Sequence, residues 1–161
     1  MKKTVTIFVI IVLIAGACAN KEVKIKPMSN VNYQIGNTER QYYTIANYEH
    51  TTQDSLCSIL NTYLNSIYPY EKIIEEKTLF SADFYKKSLF INYEKRLHNA
   101  RYESSTFDYS MLYHNLVAEI LYLRKEDNDY AVFHTKLYNQ TETNEPSIAL
   151  WKKDTIKINS Q

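Results

Sequence analysis

At 161 residues, with 19 Lys+Arg against 18 Asp+Glu, the chain is one domain's worth of protein without a charge excess. Near-neutrality argues against nucleic-acid binding, which needs a concentrated basic face. Two glycines, Gly16 and Gly36, are too few for a Walker loop, a dinucleotide fingerprint or a Gly-flanked nucleophile elbow, and no cofactor is implied.

Lys2 and Lys3 precede an apolar run from Val5 to Ala15, followed by Gly16, Ala17 and Cys18. Basic, apolar and small-residue segments in that order are the anatomy of a secretory signal peptide. A helix from Thr4 to Ala17 would span roughly 21 Å. The hydrocarbon core is about 30 Å thick, so a cleaved leader over 1–17 is expected rather than an anchor. Ala15-Gly16-Ala17-Cys18 resembles the lipobox of bacterial lipoproteins, with Ala15 where that family usually has Leu. The resemblance implies that Cys18 becomes the first mature residue and carries a diacylglyceryl thioether and an amide-linked acyl chain. Ala19, in place of an Asp, implies the outer membrane, with the domain facing the periplasm or the cell surface. Several acyl chains give durable anchoring where one does not. Cys57 is then the only thiol left, which excludes an internal disulfide, cysteine-rich zinc sites and a CxxC motif.

Residues 18–40 read as the lipidated Cys and a polar tether, with Pro27, Asn30, Asn32, Gly36 and Asn37. Val23 and Ile25 alternate with Lys24 and Lys26, so a short edge strand fits there. A single domain is expected over 41–161. Tyr42 to Tyr48 reads as a strand or as the lead into a helix. Leu56, Ile59, Leu60, Tyr63, Leu64 and Ile67 form one apolar stripe at the 3.6 period. With Thr51 and Asp54 as a capping box and Pro69 as a stop, the spacing predicts a helix over 52–68. Ser81 is a candidate cap for a second helix carrying Tyr85, Leu89, Tyr93 and Leu97, although Phe90 and Ile91 leave a strand open. Residues 101–110 read as loop. Val117 to Arg124 and Tyr130 to Tyr138 read as a hairpin around 125–129, and Ser147 to Trp151 and Thr155 to Asn159 as a second one around Lys152-Lys153-Asp154.

Helices followed by antiparallel strands predict an α+β fold, N-terminal helices packed on a curved antiparallel sheet. The stretches 79–85 (LFSADFY) and 149–156 (ALWKKDTI), with the closing hairpins, resemble NTF2-like lipoproteins. That resemblance implies an NTF2-like or cystatin-like cone around a pocket, and no activity.

His50, His98, His114 and His134 never fall on one helix turn, so no HExxH-type metal motif exists. Glu75-Glu76 and the Asp127/Asp129 pair are neighbouring carboxylates in polar surroundings, not the facing pair that glycoside hydrolysis needs. Glu119 alternates with Val117 and Leu121 and has two readings. On an interior face it would be a perturbed carboxylate marking a site, and on an outer face it is solvated. Glu119 and the mid-strand His134 are therefore the candidate pocket residues. Tyr, 15 residues against 6 Phe and 1 Trp, suits sugar or protein contacts, though AT-rich codons produce the same excess. The function expected is a non-enzymatic binding or interaction module, tethered to the membrane and binding a protein or small molecule. A small enzyme using an acid/base residue in a cone-shaped pocket, or an immunity-type lipoprotein occupying a toxin, are the alternatives.

Overall fold

The computed structural model describes residues 22–124, 130–139 and 147–157; Cys18 and the leader lie outside them. In chain order the elements are β1 (Lys24–Pro27), a 3-10 turn (Ser29–Val31), β2 (Tyr33–Ile35), β3 (Thr38–Ala46), α1 (Gln53–Ile67), α2 (Tyr70–Glu76) and β4 (Leu79–Lys86). Then follow α3 (Tyr93–Tyr102), α4 (Thr106–His114), β5 (Leu116–Arg124), β6 (Tyr130–Asn139) and β7 (Ser147–Lys157). The strands form one open sheet in the order β1-β3-β4-β5-β6-β7, with β2 also paired to β3. Among the described residues, only the β3–β4 pair is parallel. The α+β class stands, but the helices sit mid-chain because three strands precede them. The stretch read as a tether joins the sheet from Lys24 onward, and Gly36, at φ +54°, turns β2 into β3.

Alternation on β3 and β4 gives the sheet two different faces. Tyr43, Ile45, Phe80, Ala82 and Phe84 lie in one apolar cluster with Leu56, Leu60 and Leu64 of α1 and Ile73 of α2. Tyr42 and Tyr85 lie in a second cluster with Leu97 and Ala100 of α3 and Leu112 of α4. Helix α1 starts at Thr52, whose Oγ1 accepts from the Ser55 amide at 3.3 Å. Leu60 and Leu64 are fully buried, each side chain worth about 1.5–3 kcal/mol. Ile59 and Ile67, expected in the same stripe, are exposed. Cys57 is buried against the sheet, and burial pushes its thiol pKa up, leaving it an inert small hydrophobe.

Three sequence expectations are corrected. Residues 79–86 form a strand, because burial of Phe80, Ala82 and Phe84 against α1 enforces a period of two. The four-residue recurrence through Tyr85 and Leu89 was accidental, and the helix instead starts at Asn92, whose Oδ1 accepts from the Lys95 amide at 3.0 Å. Residues 101–110 are largely helical, since Ser105 caps α4. Lys152-Lys153-Asp154 is no turn: these residues pair with Thr135, His134 and Phe133 in one continuous strand. β5 and β6 pair antiparallel as expected, while 125–129 lies outside the described residues.

One charged pair is buried at the start of β3. Lys77, at the end of α2, places its ammonium 2.8 Å from Glu39, both side chains under a tenth exposed. Tyr68 donates its hydroxyl to the same carboxylate at 2.9 Å, and Gln41 donates to its other oxygen. Burial alone would raise the Glu39 pKa, but Lys77, Gln41 and Tyr68 outweigh it and hold that carboxyl below its ordinary value. The Glu39 carboxylate in turn raises the Lys77 pKa.

Candidate functional site

The strand register lines up a row of polar and aromatic side chains across the sheet's second face. Tyr42 stands opposite Asp83, Asp83 opposite Glu119, Glu119 opposite Lys136, and Lys136 opposite Trp151. Directly opposed residues have Cβ atoms about 4.5–5.5 Å apart, so each member feels its neighbour's charge. Helices α3 and α4 roof the Tyr42–Asp83 end of this row, and beneath them lies a cavity of about 480 Å³. Its walls include Tyr33, Tyr42, Tyr85, Tyr109 and Tyr113, with Leu97, Leu112 and Leu116; Arg40 and Arg101 line it beside Asp83.

Asp83 is the unusual group. It is partly accessible through the cavity, yet its carboxyl makes no hydrogen bond to any of the described residues. Burial, and then the charge of Glu119, push its pKa up to about 7, while Arg40 pulls the other way. A carboxyl of this kind switches between donor and acceptor near neutrality. Arg101 is held in place from α3: its guanidinium donates to the Val31 carbonyl at 3.2 Å and to the Tyr42 hydroxyl at 3.1 Å. It also lies 4.9 Å from the centre of the Tyr33 ring, a cation–π distance. A fixed cation, a titratable acid and several ring faces therefore converge on one concavity, the arrangement expected of a small-molecule site.

Glu119 and His134 share this face but do not line the cavity. Glu119 is half-buried and ion-paired: Lys136 lies 3.3 Å from its Oε2, and the Tyr138 hydroxyl donates to the same oxygen at 3.3 Å. His134 accepts from Trp151 Nε1 at 2.9 Å through its Nδ1. Burial, together with Lys136 and Lys153, holds its pKa below the ordinary imidazole value, so it is a neutral acceptor. Lys136 lies 5.7 Å from the centre of the Trp151 ring. His98 packs at a tilt against Tyr102 along α3, and His114 ends α4. Among the described residues, no three His, Cys, Asp or Glu side chains are grouped to hold a metal.

Asp83 itself escapes a reading that makes 81–97 a helix, because a helical period separates it from Glu119. The available signal was the alternation of Phe80, Ala82 and Phe84 with Ser81, Asp83 and Tyr85. Glu119→Gln is expected to lower the Asp83 pKa toward the ordinary carboxyl range by removing the neighbouring negative charge. A carboxyl ¹³C titration checks this, and an unmoved inflection would contradict the coupling. No protein family, curated protein or solved structure matches the chain.

Proposed function

We propose that this protein is a lipid-tethered module of the bacterial envelope that binds a saccharide, without turning it over, in the cavity above Asp83. The tether is Cys18, and the compartment is the outer membrane, facing the periplasm or the cell surface. One observation carries the ligand class: the Asp83 carboxyl, without a hydrogen-bond partner among the described residues, lies in a tyrosine-walled cavity shared with Arg40 and Arg101. Sugar hydroxyls donate to a carboxylate and accept from a guanidinium at once, and the C–H faces of a sugar ring pack on tyrosine. The cavity volume lies within the range of small-molecule pockets. The NTF2-like likeness belongs to the same proposal, with this cavity as the counterpart of that superfamily's cone-shaped pocket.

A second reading, a small acid/base enzyme, has one observation in its favour: Asp83, its pKa pushed up to about 7, stands directly opposite Glu119, and a pKa near the working pH suits a general acid. A saccharide array probed with the full-length protein tests both. Retention of neutral or acidic sugars without change to them, lost in a Tyr109→Ala/Tyr113→Ala variant, supports the binder. Cleavage of a retained sugar, abolished by Asp83→Asn, supports the enzyme, and no retention at all overturns both.

A further inference from the structure

We propose that the loop joining β4 to α3 inserts Leu89 and Phe90 into a lipid surface beside the point where the chain leaves the sheet toward Cys18. The inference rests on the tether proposed above and adds how the domain is oriented on the membrane.

Three observations converge. Leu89 and Phe90 are 89% and 97% exposed, the two most exposed large apolar side chains among the described residues. Two adjacent apolar side chains presented this openly mark a contact surface rather than a stray surface residue. The loop that carries them is braced at its base, since the Lys87 amide donates to the Ile45 carbonyl at 2.7 Å and the Tyr93 hydroxyl donates to the Lys86 carbonyl. It is presented to solvent by a fixed frame.

The second observation is position. Ile45 pairs with Lys86 on one side and with Ile25 on the other. The Glu22 carbonyl accepts from Asn47 Nδ2 at 3.0 Å at the same end of the sheet. The strand that carries chain entry and the base of the Leu89–Phe90 loop at Lys86 are thus about two strand spacings apart, roughly 10 Å. The third is the length of the leash. Cys18 and Glu22 are four residues apart, a span of at most about 14 Å. Acyl chains on Cys18 therefore hold this corner of the domain against the lipid. Exposed Lys24, Lys26, Lys86 and Lys87 surround the contact, opposed by Glu22 and Glu49, so lysines outnumber carboxylates where anionic headgroups would lie.

The test uses the acylated full product reconstituted into vesicles of phosphatidylethanolamine and phosphatidylglycerol. Phe90→Trp is compared with Ile35→Trp, an exposed apolar position at the end of β2, opposite Thr38 at the far end of the sheet, after subtraction of the Trp151 signal. Phe90→Trp emission is expected to shift to the blue and to be quenched by brominated lipid several-fold more than Ile35→Trp. Leu89→Ser/Phe90→Ser is expected to bring down to the control level the quenching of a probe placed at position 88. Equal, water-like emission from both tryptophans in vesicle-bound protein overturns the contact alone. Failure of the wild-type chain to float with vesicles overturns the tether and the contact together.

Discussion

Lys77→Met is expected to lower the free energy of unfolding by about 3–5 kcal/mol, because it leaves the buried Glu39 carboxylate without its cation. Tyr68 and Gln41 still donate to that carboxylate, but two neutral donors do not balance a buried charge. The double variant Glu39→Met/Lys77→Met is expected to recover most of the loss, since removal of both charges also removes their desolvation. The pH dependence carries the sign. Glu39 has a lowered folded pKa, so its stabilisation is present above the unfolded carboxyl value and is lost as pH falls through the folded one. Lys77 has a raised folded pKa, so its share is present below its unfolded value and is lost as pH rises through the folded one. In Lys77→Met only Gln41 and Tyr68 still oppose the effect of burial, so the Glu39 pKa rises relative to wild type and the variant should lose less stability on acidification than wild type does. Urea unfolding of both variants between pH 4 and pH 8 checks this. Equal stability of Lys77→Met and wild type would contradict the burial of the pair.

Asp83→Asn is expected to act in the opposite direction on stability and against function. The folded pKa of Asp83 is raised from 3.8 to about 7, so above that pH its ionised form opposes folding. At about 1.36 kcal/mol per unit, asparagine should stabilise the protein by about 2–4 kcal/mol at pH 8. The difference shrinks as pH falls below 7 and vanishes near the unfolded carboxyl value. If Asp83 accepts from sugar hydroxyls, the same substitution removes a charged hydrogen bond worth about 1.5–3 kcal/mol, a loss of about ten- to hundred-fold in affinity. Wild-type affinity should likewise fall as pH drops through 7 and Asp83 takes a proton. A more stable protein that binds less well is the mark of a residue retained for function. Thermal melts and saccharide titrations of one variant preparation measure both effects.

What the sequence made legible was local. The stripe of Leu56, Leu60 and Leu64 has a single period that fits nothing but a helix, and α1 lies where that stripe placed it. The pairing of β5 with β6 followed from two apolar runs of matched length. Residues 79–86 failed because LFSADFYK carries apolar groups at both periods, and only packing against α1 selects the strand. β7 failed because a polar Lys-Lys-Asp run resembles a turn, while an edge strand tolerates charge along its exposed length. The site inherited the first of these errors. Glu119 was legible as an alternating acid, but its partner Asp83 becomes its neighbour only through the register between β4 and β5. The cavity walls come from six elements, β2, β3, β4, α3, α4 and β5, and their convergence is a property of topology that no local pattern carries.

The carboxyl ¹³C resonance of Asp83, followed through a pH titration of the full chain with and without a retained saccharide, probes the binding site at its centre. An inflection near 7 that moves to lower pH when sugar is present is the expected result, because a ligand that donates to the ionised carboxylate stabilises it. An Asp83 that titrates below pH 5, or a resonance indifferent to a sugar the protein demonstrably holds, would place the binding site elsewhere.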